Sequence, residues 1–456
     1  MAATAATDPR EILENSTMTA AQIAVVAITV FLNAMDGFDV LSIAFASPGI
    51  AKEWGIAQTA LGAVLSMELI GMAVGSIIIG GIADKIGRRP TLLACLVAMA
   101  LGMLGATTAA SPVQLSIWRV FTGLGIGGML SGTNAVVAEF ANKKWRSLCI
   151  SMMVIGYPLG GTVGGMFASS LLAKYDWRSV FYFGATATAI LLPIVFFLLP
   201  ESVHWLTRKQ PANALQRINR ALKKLGHGAV SAVPEVRESD RKKSVGDIFS
   251  AGLISVTLLV TAAYFFHIIT FYFILKWTPK IVADMGFAAS SAGRILAWAN
   301  FGGALGGAVF GILTARIGLK PLTITILALT AVGVTIFGRT PADLDTIAKL
   351  AAFAGFFGNA GVSGLYSIVA YAFPTHVRAT GTGFVIGVGR GGAVLAPILA
   401  GFLLETGSKL PTVGLVMASG SLLAAFVLIF LKMGTDGRVE ARDKRAELSS
   451  MARARA

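Results

Sequence analysis

At 456 residues, 55% hydrophobic and 13% charged, with a mean hydropathy of +0.74, the chain is too apolar for a soluble globular protein. A net charge of +15 invites a nucleic-acid partner, but the cations fall between apolar runs and form no nucleic-acid motif, so membrane topology and anionic lipid explain them better. Two cysteines without matching histidines argue against a disulfide framework or a metal site, and no nucleophile or cofactor constellation marks an enzyme.

Apolar runs recur near 20–46, 58–82, 90–109, 112–138, 147–172, 178–199, 252–275, 289–313, 321–338, 347–371, 379–404 and 411–431, each long enough to cross a bilayer. The predicted fold class is therefore an all-α polytopic membrane protein of twelve transmembrane helices in two pseudo-symmetric six-helix bundles. The expected organisation is a cytoplasmic tail 1–19, a first bundle 20–200, a cytoplasmic linker 201–250, a second bundle 251–432 and a basic cytoplasmic tail 433–456. With the N-terminus inside, cytoplasmic stretches hold 27 of the 38 Lys and Arg, whereas Lys52, Lys174, Arg178, Lys276, Lys280, Arg339, Lys349 and Lys409 fall in outer loops. The start, with Asp8, Glu11 and Glu14, does not resemble a cleaved signal peptide.

The first run carries Asn33-Ala34-Met35-Asp36-Gly37-Phe38-Asp39. Each Asp inside a span costs about 2.5–3.5 kcal/mol on insertion scales, and at a spacing of three the two share a helix face. Such acids suit a proton-handling site. The second run adds Glu68, and the fourth adds Arg119 at the head of Thr122-Gly123-x-Gly125-x-Gly127-Gly128; counting rise per residue puts Asp39, Glu68 and Arg119 at similar outer depth. Asp36, Asp39, Glu68 and Arg119 form the predicted proton-coupling cluster, with a static buried ion pair as the other reading.

Between the second and third runs, Gly80-x-x-x-Asp84-Lys85-x-Gly87-Arg88-Arg89 packs an acid and three cations into a tight turn, expected to latch when the inner face shuts. Asp84, Arg88, Glu139, Arg146 and Arg378 are the expected gating residues. The fifth run, Gly156-Tyr157-Pro158-Leu159-Gly160-Gly161, predicts a bendable, closely packed helix with Tyr157 facing the pathway. In the linker, Leu215, Ile218, Leu222 and Leu225 among basic residues predict an amphipathic helix within 208–224, or else a solvated connection.

The second half echoes the first: Gly311-x-x-x-Ala315-Arg316-x-Gly318-x-Lys320 repeats the turn motif 231 positions on, and Arg378 follows Arg146 by 232. An internal duplication of this kind puts a substrate site between the halves near mid-membrane. Arg390, within Gly387-Val388-Gly389-Arg390-Gly391-Gly392, is left without an acidic partner on its own half, since no acid lies well inside the runs of that half. It is the predicted receptor for an anion, held through two parallel hydrogen bonds, or else pairs with Asp36 or Asp39 across the interface. Aromatic residues crowd the same half, so His267, Tyr157, Trp298, Asn359 and Tyr366 join Arg390 as candidate substrate contacts; Arg294 is left between function and snorkelling.

These motifs, with Pro200-Glu201-Ser202-x-x-Trp205-Leu206 after the sixth run, resemble the major facilitator superfamily across nearly the whole chain. Asp36-Gly-Phe-Asp39, Pro374-Thr-x-x-Arg378-Ala-Thr-Gly381 and the Gly387 to Gly392 run are similar to its aromatic acid:proton symporter branch. The resemblance implies that Asp36, Asp39, Asp84 and Arg119 are needed for transport and that Arg378 and Arg390 serve gate and substrate. Ala315 and Val203-His204 depart from the family pattern, and Glu68 belongs to none of its motifs.

The resulting expectation is a monomeric symporter in a bacterial inner membrane, importing a small aromatic carboxylate with protons, in contact with membrane lipids and without cofactor, metal or nucleic acid. A symporter of another organic acid, a proton antiporter exporting drugs or acids, and a membrane chemoreceptor remain as alternatives.

Overall fold

The computed structural model describes residues 8–234, 248–250, 252–373 and 377–431. Residues 1–7 of the expected first tail, 235–247 of the linker, 374–376 of the tenth-to-eleventh-span signature and the whole 433–456 tail lie outside the described residues.

Among the described residues, twelve helices are long and apolar enough to span a bilayer. A short α1 (Pro9–Asn15) precedes six of them: α2 (Ala20–Trp54), α3 (Gln58–Ile86), α4 (Arg88–Thr107), α5 (Pro112–Phe140), α6 (Arg146–Leu172) and α7 (Arg178–Leu198). Two short helices, α8 (Val203–Lys209) and α9 (Ala214–Lys224), lead to α10 (Ile254–Asp284), α11 (Ala289–Ile317), α12 (Leu319–Phe337), α13 (Leu344–Ala372), α14 (Arg378–Glu405) and α15 (Leu410–Ile429). Helix starts follow local chemistry. Thr19 and Gln22 make a reciprocal capping box on α2, and Ser111 caps α5 ahead of Pro112.

The repeat read in the sequence is also a repeat of backbone geometry. Gly87 alone separates α3 from α4 at φ +112°, and Gly318 alone separates α11 from α12 at φ +88°. Only glycine takes that conformation without strain, which is why both turns keep it. Packing repeats as well: α3 lies on α5 as α11 on α13, α2 on α6 as α10 on α14, and α4 on α7 as α12 on α15. The halves meet through two reciprocal crossings, α3 with α14 and α6 with α11, flanking an α2–α10 contact.

The amphipathic stretch expected within 208–224 folds as α8 and α9, broken where Gln210 and Asn213 are left-handed. Ile218, Leu222 and Leu225 are buried, and Thr19 Oγ1 donates to the Leu225 carbonyl at 2.7 Å.

A two-layer site between the halves

The α2–α6 pair is welded by glycine. A Cβ on Gly37 would come within 2.0 Å of the Tyr157 carbonyl, and one on Gly160 within 1.8 Å of the Ala34 carbonyl. This close approach fixes the aspartate-bearing part of α2 beside Tyr157.

The outer layer is ionic. Glu68, Arg119, Asp39 and Lys276 are each wholly buried. Arg119 Nη2 lies 2.5 Å from Glu68 Oε1, out of hydrogen-bond alignment, and donates to the Asp39 main-chain carbonyl at 2.8 Å. Its Nη1 reaches Met103 Sδ at 3.0 Å, and its guanidinium lies 5.4 Å from the Phe181 ring centre. The Asp39 carboxyl turns to the α7 side, with Oδ1 3.2 Å from where a Cβ on Gly184 would stand. Neither oxygen of Asp39 or of Asp36 has a hydrogen-bond partner among the described residues.

Sequence reasoning missed Lys276 as a member of this layer. Lys276 was expected in an outer loop, but α10 runs on through Pro279 to Asp284 and carries it inside. Its Nζ donates to the Val40 carbonyl and lies 3.5 Å from Glu68 Oε2. The signal was the apolar character resuming at Trp277, beyond the run that ends at 275.

The middle layer is aromatic around one cation. Tyr157, Tyr264, Tyr272 and Asp36 lie within electrostatic reach of Arg390, whose Nη1 has no partner among the described residues. The Tyr264 and Tyr366 hydroxyls are 3.2 Å apart. The Tyr264 ring presses on Gly389, where a Cβ would come within 2.0 Å of it, so the residue beside Arg390 must lack a side chain.

At the end of the first half opposite this ionic layer, Arg88 bridges Asp84 at 2.9 Å and Glu139 at 3.1 Å, and Arg208 adds a second cation to Asp84 at 3.0 Å. Ser202 Oγ donates to Glu139 at 2.5 Å. Glu201 accepts from the Arg88 and Ser202 amides at 2.8 and 2.9 Å, which caps α4; burial pushes its pKa up against these bonds. Arg146 pairs with Glu14 at 3.0 Å, and His204 lies 3.7 Å from the same carboxylate, its pKa lowered by burial.

The contacts that join the halves cluster at the end that holds the ionic layer. Ser66 Oγ donates to the Val394 carbonyl at 2.7 Å, Trp277 Nε1 to the Pro397 carbonyl at 3.1 Å, and the Thr59 amide to Glu405 at 2.9 Å. Gly62 faces the Pro397 backbone and Gly401 that of Gln58, while Gly165 meets Phe45 and Ala297. Toward the other end the same helices are exposed at Ile77, Ile78, Ile82 and Ile86, at Leu148 and Met152, at Ile312 and Ile317, and at Val388. The halves are thus sealed on the side of Glu405 and parted on the side of Gly87.

A family model described as Major Facilitator Superfamily matches residues 26–280 and 260–455. The chain belongs to the major facilitator superfamily. It is 28% identical to a gallate transporter of Pseudomonas putida over 92% of this chain and 94% of that one. It is likewise 28% identical to the 4-hydroxybenzoate transporter PcaK of Pseudomonas aeruginosa, over 86% and 89%. A solved structure of the xylose transporter XylE from E. coli, in a partially occluded inward-open conformation, superposes with a TM-score of 0.73 at 15% identity, covering 91% of this chain and 98% of that one.

In this superfamily chain, several expected residues stand apart from the two layers. Trp298 is 44% exposed and shares an outward stripe with Arg294, Phe301 and Leu305, because those positions fall on a face of α11 between the one that meets α6 and the one that meets α13. His267 is wholly buried with both ring nitrogens engaged, by Ser421 Oγ and the Gly358 carbonyl, each at 2.9 Å. Asn359 donates to the Gly303 carbonyl at 2.7 Å and, with Tyr157, lines a cavity of about 20 Å³, room for one water and too small for an aromatic ring. Arg378 is exposed and donates to the Phe373 carbonyl at 3.3 Å. The Asp84–Arg88 pair was expected to form when its end of the molecule closes; it is formed here with that end parted, because Arg88 and Arg208 both belong to the first half and its linker.

Proposed function

We propose that the chain is a proton-coupled symporter that imports small aromatic carboxylates of the hydroxy- or methoxy-benzoate type by alternating access. The observation that carries this reading is Arg390: a guanidinium with a free arm, at the interface of the halves, walled by tyrosines. A carboxylate would take the guanidinium fork, and the rings and hydroxyls of Tyr157, Tyr264, Tyr272 and Tyr366 would hold a planar ring and its substituents. The relatives named as gallate and 4-hydroxybenzoate transporters support that substrate class.

Asp36 and Asp39 are the proposed proton carriers. Their oxygens are unpartnered, so each can gain or lose a proton without breaking a bond already made, and Asp36 lies between the ionic layer and Arg390. Glu68 and Arg119 would keep the neighbouring charge balanced. The Asp84, Arg88 and Glu139 network, with Arg146, would brace the first half and its linker as the halves rock, while Arg378 would meet the first half only when the parted side closes. His267 serves as a strut joining α10, α13 and α15. The parted side is taken as cytoplasmic, with both termini, because it carries the cation-rich loops, and the protein is placed as a monomer in a bacterial inner membrane.

Uptake of radiolabelled 4-hydroxybenzoate into proteoliposomes tests this. An inward proton gradient should drive accumulation above equilibrium, and a protonophore should abolish it. Accumulation unchanged by the protonophore would refute coupling, and no saturable uptake of any substituted benzoate would refute the substrate class.

A further inference from the structure

Lys276 is a cation on the second half, wholly buried and, among the described residues, bonded by its ammonium only to groups of the first: the Val40 carbonyl on α2 and Glu68 on α3. A lysine costs several kcal/mol to bury without compensation, so a merely structural packing role would be better served by Leu or Met at this position. What distinguishes it is where its partners lie. Both contacts cross the interface at the sealed end, within the same layer as the Ser66–Val394 and Trp277–Pro397 bonds. Alternating access must part this end, and Lys276 must then leave Glu68.

We propose that Lys276 is a latch holding the sealed side shut, and that its hold is set by how the Glu68 carboxylate is shared between Lys276 and Arg119. This deepens the proposed symport and rests on it. The groups facing Glu68 are Arg119 from α5, Lys276 and Tyr272 from α10, Asp39 from α2 and Tyr157 from α6. Two cations converge on the one carboxylate that faces them, while the Asp39 carboxyl stands close by without a bond of its own. When Asp39 is ionised, Arg119 has a second anion to serve and Glu68 is left to Lys276; the latch is closed. When Asp39 is neutral, Arg119 turns wholly to Glu68 and Lys276 is the cation with the weaker claim, its 3.5 Å contact being the longer of the two. A proton arriving at the first half thereby loosens a bond to the second, which is the linkage a symporter requires.

The test uses the full-length protein in nanodiscs and reads amide hydrogen exchange in peptides covering 58–66 and 394–405, alongside melting temperature and 4-hydroxybenzoate binding. Wild type, Lys276→Met, Lys276→Arg, Glu68→Gln and the Lys276→Met/Glu68→Gln double variant are compared. Lys276→Met and Glu68→Gln should each raise exchange of both peptides by about tenfold, a modest population shift, with no further rise in the double variant. Lys276→Arg should stay near wild type. Should Lys276→Met fail to fold, Glu68→Gln and the double variant carry the same test. Binding retained with exchange unchanged in Glu68→Gln, or additive effects in the double variant, would overturn the latch while leaving the symport reading intact. Loss of all benzoate binding in wild type would instead overturn the reading beneath it.

Discussion

Replacing Arg390 with alanine removes the one cation in the tyrosine-walled layer, and its cost to binding can be worked from the geometry. The guanidinium offers a carboxylate two parallel donors, and its Nη1 is already free of protein partners. Hydrogen bonds to charged groups are worth about 1.5–3 kcal/mol each, and truncating one partner of a desolvated charge pair costs about 2–5 kcal/mol in total. At about 1.4 kcal/mol per decade, Arg390→Ala should weaken 4-hydroxybenzoate binding by about 30- to 3,000-fold. Arg390→Lys keeps the charge but loses the fork, and about a tenfold loss is expected. Isothermal titration of the purified protein in detergent gives the Kd, and the uncharged 4-hydroxybenzamide serves as control: wild type should strongly prefer the acid, and Arg390→Ala should not. Asp36 lies within reach of the same guanidinium, so an unneutralised Asp36 is the competing explanation for the loss. The Arg390→Ala/Asp36→Asn double variant settles this, because it should remain as weak as Arg390→Ala. A folded Arg390→Ala that binds the acid within about threefold of wild type would refute the assignment.

Three further outcomes are expected. Gly160→Val should destabilise the protein by about 1–3 kcal/mol or more, since any Cβ there meets the Ala34 carbonyl, whereas Gly81→Ala, in open surroundings, should melt like wild type; equal melting of all three would refute the weld. His267→Phe leaves the Ser421 hydroxyl without its histidine partner, at about 1–3 kcal/mol, and the Gly358 carbonyl with only its helical bond, so melting should fall while the Kd for 4-hydroxybenzoate stays within about threefold; the reverse pattern would return His267 to the binding layer. His204 has a pKa lowered by burial, so the unfolded chain takes up its proton more readily, and the stability this contributes is present above the ordinary histidine pKa and lost as pH falls through it. Melting temperature should fall between pH 7.5 and pH 5.5, about one unit either side of that value, and fall less in His204→Gln; an identical fall in both would refute it.

The fold was legible because its signals are long or repeated. Apolar runs set the twelve spans, and two short glycine turns 231 residues apart proved to share one backbone geometry. Asp39, Glu68 and Arg119 were drawn together by depth alone, since acids and a cation at equal height in a bilayer have few other partners. Depth says nothing of azimuth, and there the reading failed for Trp298: its i+3 and i−4 neighbours Phe301 and Arg294 already marked an outward stripe. Lys276 was lost for a different reason. Charge was used to end a span, yet a lysine beneath a resumed apolar stretch is the pattern of a cation whose partner lies on another segment of the chain. His267 could not have been resolved from sequence, because Ser421 and Gly358 lie 154 and 91 residues away.

The α3–α14 crossing sets backbone against backbone where Gly62 faces Pro397 and Gly401 faces Gln58, whereas at the α6–α11 crossing Gly165 meets the side chains of Phe45 and Ala297. At those two α3–α14 contacts no side chain stands between the helices, so parting them at these points uncovers little hydrocarbon. A seam of leucine and phenylalanine would freeze the molecule in one posture. Glycine at these points leaves α3 and α14 free to slide and tilt on one another with no interlocked side chain to withdraw.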